Sequence, residues 1–293
     1  MFAVIAAILQ GVCGAFIAVR KKRLRNHDVD TAAVLAILGF SLPLWYAIIA
    51  YHLIAGWQPS ILYVGVVGLW VAICCLLNLL VVFLKRYQGL MESRGYLVTF
   101  KLFLAILIDF FVFGTAFSST MLLAACLAMI GPFLLFDERV TVVQDSRRRF
   151  SLPVLIAGNG IIAVLGMSIL ALFKYALTLQ DNVVLHAAIS QAGLFTIFVM
   201  IGGKRLYYAL QATPRRINRQ TILEMAGLIC VAALCEGLAL RDLPLYIYII
   251  TGAVTSLILV SADIENGEIR LNRRSVVASF LIIAGGGLPY VMA

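Results

Sequence analysis

Charge is scarce in this chain. Only 13% of its 293 residues are Asp, Glu, Lys or Arg, against about 25% in an ordinary soluble domain. Hydrophobic residues make up 63% and the mean hydropathy is +1.03, so 37 charged side chains, 23 basic and 14 acidic, cannot cover a soluble fold. The same numbers exclude a disordered chain. There is no Walker A loop, no His-Glu-x-x-His pair, no Gly-x-Ser-x-Gly elbow and no Cys-x-x-Cys, so nucleotide hydrolysis, zinc and serine chemistry have no motif to rest on. The expectation is a protein that is not an enzyme and carries no cofactor or metal. The cysteines Cys13, Cys74, Cys75, Cys126, Cys230 and Cys235 all lie in apolar runs, which excludes a disulfide framework and fits small buried hydrophobes. A cleavable signal is missing too. The apolar run Phe2–Val19 comes before the basic cluster Arg20–Arg25, the reverse of a signal peptide, and reads as a retained first helix.

What is there is apolar run after apolar run. Spans are expected at about 2–19, 31–54, 60–84, 96–113, 117–136, 152–172, 184–203, 222–240, 244–262 and 275–292, each near the ~20 residues that cross a bilayer. The fold class expected is all-α, a polytopic membrane protein of ten helices. No connection exceeds about 20 residues, which leaves no room for a separate soluble domain. Tight turns at Gly114–Ala116 and Arg241–Pro244 join the fourth helix to the fifth and the eighth to the ninth. Residues 204–221, with Leu206, Tyr207 and Leu210 among charges, suit a partly interfacial helix.

Basic residues alternate between the connections. The odd-numbered connections hold 5, 3, 4, 5 and 3, a total of 20, whereas the even-numbered ones hold only Lys174 and Arg241. Lys101 lies within the fourth helix. By the positive-inside rule the odd connections are cytoplasmic and both termini are outside. The basic residues form no single patch, so nucleic acid is not an expected partner.

The halves repeat. A shift of 153 residues places Ala18 on Ala171, Lys21 on Lys174, Leu24 on Leu177 and Asp28 on Asp181, and Gly114 on Gly267. With one further residue Gly131 falls on Gly285. The charge bias inverts between corresponding connections, as it must when five helices separate the copies. That is the pattern of an inverted-topology repeat. The organisation expected is a first five-helix repeat over 1–136, a basic cytoplasmic linker over 137–151, and a second, inverted repeat over 152–293.

The stretch from Glu236 through Ala239-Leu240 and Pro244 to Gly267-Glu268, then Leu281-Ile-Ile-Ala-Gly-Gly-Gly, resembles the drug/metabolite transporter superfamily. A weaker copy runs through Phe113-Gly114 and Met129-Ile130-Gly131, with Thr115 where the acid of the Gly-Glu turn belongs. The resemblance covers the whole chain in architecture and about 60 residues in motif. It implies a secondary transporter that moves a small organic metabolite, or a lipid-linked one, by alternating access, with helices 1, 3, 4, 6, 8 and 9 around a cavity. The alternative is a non-transporting membrane subunit of a larger assembly that keeps the fold. The partners expected are the lipid bilayer, a small solute, and a second copy (a homodimer) or a membrane-complex partner. Compact loops suit a bacterial inner membrane.

Each polar residue inside an apolar run costs about 2.5–3.5 kcal/mol if charged at a membrane helix centre, so each needs a reason. Lys101 and Asp109 are eight residues apart, on one broad face and ~12 Å apart along the axis. They would present opposite charges to a solute, or Asp109 would carry a coupling proton; otherwise each snorkels to the interface. Asn78 and Asn159 would line a polar cavity or join helices. His186 would relay a proton or serve as an interhelical donor, with Gln191 five residues on. Glu236 would guard the outer mouth or sit as an interfacial acid beside Arg241. The aromatic residues Trp45, Tyr46, Trp57, Trp70, Tyr246 and Tyr248 fit interface belts and packing. Gly285–Gly287 allows close packing of the last helix. On this reading, cysteines placed at Ser146 and Asn218 resist an impermeant reagent in intact cells, on a background without native cysteines. Those at Gln58 and Gln180 react; labelling at 146 or 218 reverses the orientation.

Overall fold

In a computed structural model the chain is all-α. The structure describes residues 2–25, 30–84, 90–116, 118–134, 152–196, 219–254 and 273–291. Among them are ten helical segments and no strand. They are α1 Phe2–Arg25, α2 Asp30–Ile54, α3 Ile61–Leu84, α4 Leu90–Phe111 and α5 Ser119–Leu134. Then come α6 Leu152–Leu179, α7 Val183–Thr196, α8 Arg219–Asp242, α9 Leu245–Val254 and α10 Arg273–Val291. The linker over 137–151 with Ser146, residues 204–218 with Asn218, and the Gly267-Glu268 turn lie outside the described residues.

The helices occupy the apolar runs but outlast some of them. α1 continues through Arg20–Arg25, and α6 continues past Lys174 to Leu179. Lys, Arg, Leu and Ala are good helix formers, so the backbone stays helical where hydropathy stops. Among the described residues one helical stretch, Ala157–Leu179, is long and apolar enough to cross a bilayer by length and composition. Shorter apolar stretches cover Phe2–Ile17, Leu42–Ile54, Ile61–Leu77, Val183–Thr196 and Val276–Gly285.

The chain divides into two compact units. The first gathers residues 76–171 and 243–293, the second residues 2–75 and 172–242. Each unit therefore draws on both halves of the sequence. In the first, α5 packs against α10 and α4, and α9 packs against α4, α5 and α10. In the second, α8 packs against α1 and α2. Trp45 of α2 is buried there against Ala187, Ala188 and Ala192 of α7 and Ala233 of α8. Small side chains let the three backbones close around one large ring.

Within the second unit the direction of α7 follows from its contacts. Tyr46 of α2 bonds Thr196 while His52 of α2 meets Asn182, just before α7. As α2 advances, α7 recedes, so the two are antiparallel. Tyr63 of α3 meets His186, and Val71 meets Gly193, so α3 and α7 run in the same direction.

The tight turns are built from local chemistry. Gly56, at φ 86°, ends α2: its N–H bonds the Leu53 carbonyl, and the Trp57 N–H bonds that of His52. This is a Schellman closure, which needs a left-handed residue. Gly114, at φ 64°, follows α4 and lets the Thr115 N–H reach back to the Asp109 carbonyl. The helices that follow these turns, and α7 after the turn at 180–182, begin on side-chain caps. Ser60 Oγ accepts from Tyr63 N–H, Ser118 Oγ from Met121 N–H and Asn182 Oδ1 from Leu185 N–H.

α9 differs. Its N-cap is Pro244, whose carbonyl accepts from Tyr248 N–H but whose ring offers no acceptor. The acceptor comes from α4: Asp109 Oδ2 takes the Tyr246 N–H at 2.8 Å. Asp109 is fully buried, so this acceptor faces the first turn of α9 with little water to compete for it. Replacing Asp109 with Ala should cost about 1–2 kcal/mol, the worth of a good cap. Asp109→Asn, which keeps an acceptor, should cost less. Thermal unfolding of the purified protein in detergent reads both, and an alanine variant as stable as the wild type would refute the cap.

Candidate functional site: a buried histidine among aromatic rings

His186 lies in the first turn of α7, four residues after its cap Asn182, whose carbonyl accepts the His186 N–H. That cap fixes where the imidazole emerges. The ring is fully buried in the second unit. Tyr63, in the first turn of α3 and placed by the Ser60 cap, shares a 2.9 Å hydrogen bond between its hydroxyl and His186 Nδ1. The phenol has one proton to give. If it goes to Nδ1, the imidazole hydrogen sits on Nε2; if Nδ1–H donates to the phenol oxygen, Nε2 is an acceptor.

Phe173, from α6, stands edge-on to the imidazole with ring centroids 4.2 Å apart, and packs against Trp70 at 5.8 Å. Trp57 stands edge-on to Tyr63 at 6.1 Å. The result is a continuous series of rings from Trp57 through Tyr63, His186 and Phe173 to Trp70. Tyr63 and Trp70 are seven residues apart and share the buried face of α3, together with Val67 and Cys74. Gly237 of α8 admits this packing. A Cβ there would meet Val183 Cγ1 at 2.5 Å and Phe173 Cε1 at 3.7 Å.

Four buried polar atoms of the cluster meet no partner among the described residues: His186 Nε2, Trp57 Nε1, Trp70 Nε1 and Ser190 Oγ. Ser190 follows His186 by one turn of α7. Leaving a buried donor unsatisfied costs about 1–3 kcal/mol, and native interiors keep few such groups without a use. Two indole N–H groups suit a ligand or water that accepts hydrogen bonds, His186 Nε2 suits a donor or an acceptor according to its tautomer, and the rings offer faces and edges to a planar or cationic group.

The other expected residues fall as follows. Glu236 is half-buried in α8, near Cys74 of α3. Gln191 is half-buried next to Ser190. In the first unit Asn159 is fully buried in α6. Seven residues along, on the same face of α6, the Lys101 stem crosses bare backbone at Gly166, where a Cβ would meet Lys101 Cε at 2.7 Å. Lys101 thus meets α6 two turns beyond Asn159, ~10 Å along the axis. Asp109 serves the α9 N-terminus, and Tyr246, which it caps, donates its hydroxyl to Met121 Sδ. Asn78 lies in α3, with its side chain outside the described residues. Glu224 is exposed. Tyr63, Phe173 and Ser190 escaped the sequence reading. The signal for Tyr63 was its seven-residue spacing to Trp70 behind a serine cap.

Gly237→Ala should destabilise the protein by about 1–3 kcal/mol through overpacking. Adding Val183→Ala should restore much of the loss. A double-mutant cycle on thermal unfolding measures this coupling, and additivity of the two changes would refute the close contact.

No family model and no curated relative matches this chain. Its fold does recur among solved structures, where 28 chains match. One, described only as "Crystal structure of protein", aligns with a TM-score of 0.62 at 13% identity, over 99% of this chain and 96% of that one. At that identity the likeness shows a shared fold.

Proposed function

We propose that the chain is a polytopic membrane protein, built as two inverted five-helix repeats, that moves a small organic solute by alternating access in the manner of the drug/metabolite transporters. The antiparallel course of α2 and α7 carries this reading. These two helices correspond in the repeat, and their contacts run in opposite order, Tyr46 with Thr196 and His52 with Asn182. A pair of related helices facing opposite ways is what an inverted repeat requires.

Packing adds support. Exchange of the halves turns α1 against α8 into α6 against α3, and α2 against α8 into α7 against α3. Members of each pair are in contact. The same exchange relates α4 against α5 to α9 against α10, again both in contact. The surface supports the membrane. Large apolar side chains are exposed on helix after helix, Phe2, Ile61 and Phe111 at 77%, 93% and 76% among them, while Asp109, Asn159, His186, Ser190 and Thr251 are buried. Water penalises that arrangement and hydrocarbon favours it. Lys and Arg divided 20 to two between the connections add an orientation.

In this reading the His186 cluster binds part of the solute or the coupling proton. Uptake of solutes from a cell extract into proteoliposomes, read by mass spectrometry, tests the proposal. His186→Asn should lower uptake at least tenfold, about the worth of one buried polar interaction. Its elution and thermal transition should stay near wild type. If the wild-type protein accumulates nothing and co-purifies with a fixed membrane partner, the non-transporting subunit takes its place.

A further inference from the structure

A cleft of about 360 Å³ lies between the C-terminal ends of α6 and α8, lined by Lys174, Leu177, Thr178, Asp181, Arg241 and Asp242. Lys174 and Arg241 are the two basic residues that the connections leave on the side opposite the other 20. The two exceptions to the charge rule therefore converge on one place, and an aspartate accompanies each.

The charges are arranged as pairs. Arg241 Nε donates to Asp242 Oδ1 at 2.9 Å and Nη2 to Oδ2 at 3.2 Å, which uses two of five guanidinium N–H groups. That fork holds the Asp242 carboxyl below its ordinary range; burial opposes it more weakly, and the charges of Arg241 and Lys174 add smaller lowering effects. The carboxylate is therefore ionised at neutral pH. Lys174 lies close enough for its charge to act on Asp242, and Asp181 likewise on Arg241. The cleft thus sets two cationic side chains, Lys174 and Arg241, beside two anionic ones, Asp181 and Asp242. Leu177, buried between Lys174 and Asp181 in the chain, adds an apolar contact. The spacing Lys-x-x-Leu-x-x-x-Asp also stands at Lys21, Leu24 and Asp28 in the first half. The cleft adjoins the aromatic cluster. Arg241 sits one turn of α8 beyond Gly237, which touches Phe173, and Lys174 is the next residue after Phe173.

We infer that this cleft recognises a zwitterionic group, an ammonium and a phosphate or carboxylate joined by a short carbon chain, carried by a phospholipid headgroup or by a free solute. The inference rests on the membrane reading only for the side the cleft faces.

Calorimetry on the purified full-length protein tests it with three probes: glycerophosphoethanolamine, glycerol 3-phosphate and ethanolamine. The zwitterion should bind at least tenfold more tightly than either singly charged probe. Lys174→Gln and Asp181→Asn should each weaken it about tenfold, since one charge-assisted contact is lost. A parallel arm in nanodiscs measures retention of phosphatidylethanolamine against phosphatidylglycerol by native mass spectrometry. Binding of the free probe without lipid retention supports the cleft with a soluble ligand. Lipid retention that the double variant Lys174→Gln/Asp181→Asn abolishes supports it with a headgroup. No preference in either arm, or wild-type behaviour of that double variant, overturns it. Neither arm needs transport: a chain that carries nothing leaves the cleft standing, and a working transporter with no preference overturns the cleft alone.

Discussion

The hydrogen bond from the Tyr246 N–H to the Asp109 carboxylate spans 137 residues of sequence and settles how α9 can begin. A helix starts with amides that have no partner inside it, and burial makes each one expensive. α3, α5 and α7 meet this demand with Ser60, Ser118 and Asn182, a few atoms away along the chain. α9 follows a break of two residues that ends in Pro244, where no side-chain oxygen is at hand. Its acceptor comes from elsewhere, from the buried acidic side chain of Asp109 on α4. Packing of α9 against α4, α5 and α10 in the same unit accompanies this bond.

This also shows where sequence reading stopped. Apolar runs located the ten helices, because a helix in such a chain is written in composition. Their ends were less legible: α6 outlasts its apolar run because Lys174 and the residues after it keep helix propensity. Asp109 was legible as an acid in an apolar setting, which motivates a coupling proton and a capping role equally. Periodicity reports the face of a residue, not a partner 137 positions away. A clue did exist in Pro244, a cap position without a cap, but reading it requires knowing which helix end lies opposite.

His186 was visible as a lone imidazole in an apolar helix. Its surroundings were not. Tyr63, Phe173 and Trp70 look in sequence like any membrane-belt aromatics, and only folding brings α3, α6 and α7 together around the imidazole. The serine and asparagine caps matter here beyond stability. Each fixes the first turn of its helix, and Tyr63 and His186 both emerge from such turns. Two cheap local devices thus position the one side-chain hydrogen bond at the centre of the cluster. Lys101 makes a related point. Its charge drew attention, yet its stem is what the structure places, laid over the bare backbone of Gly166.

Gly237 links the two polar regions of the second unit. It brings α8 against Val183 and Phe173, in contact so close that no Cβ fits. Arg241 and Asp242 extend from the same helix about one turn further on, opposite Lys174 and Asp181. Close-packed interiors do not deform smoothly; they hold one arrangement or switch to another. A displacement of α8 large enough to separate the Arg241–Asp242 fork from Lys174 must therefore also shift the Val183 and Phe173 contacts, and Phe173 is the ring that rests on His186. The cleft and the buried imidazole are thus coupled through the contacts at Gly237 as long as α8 remains a continuous helix.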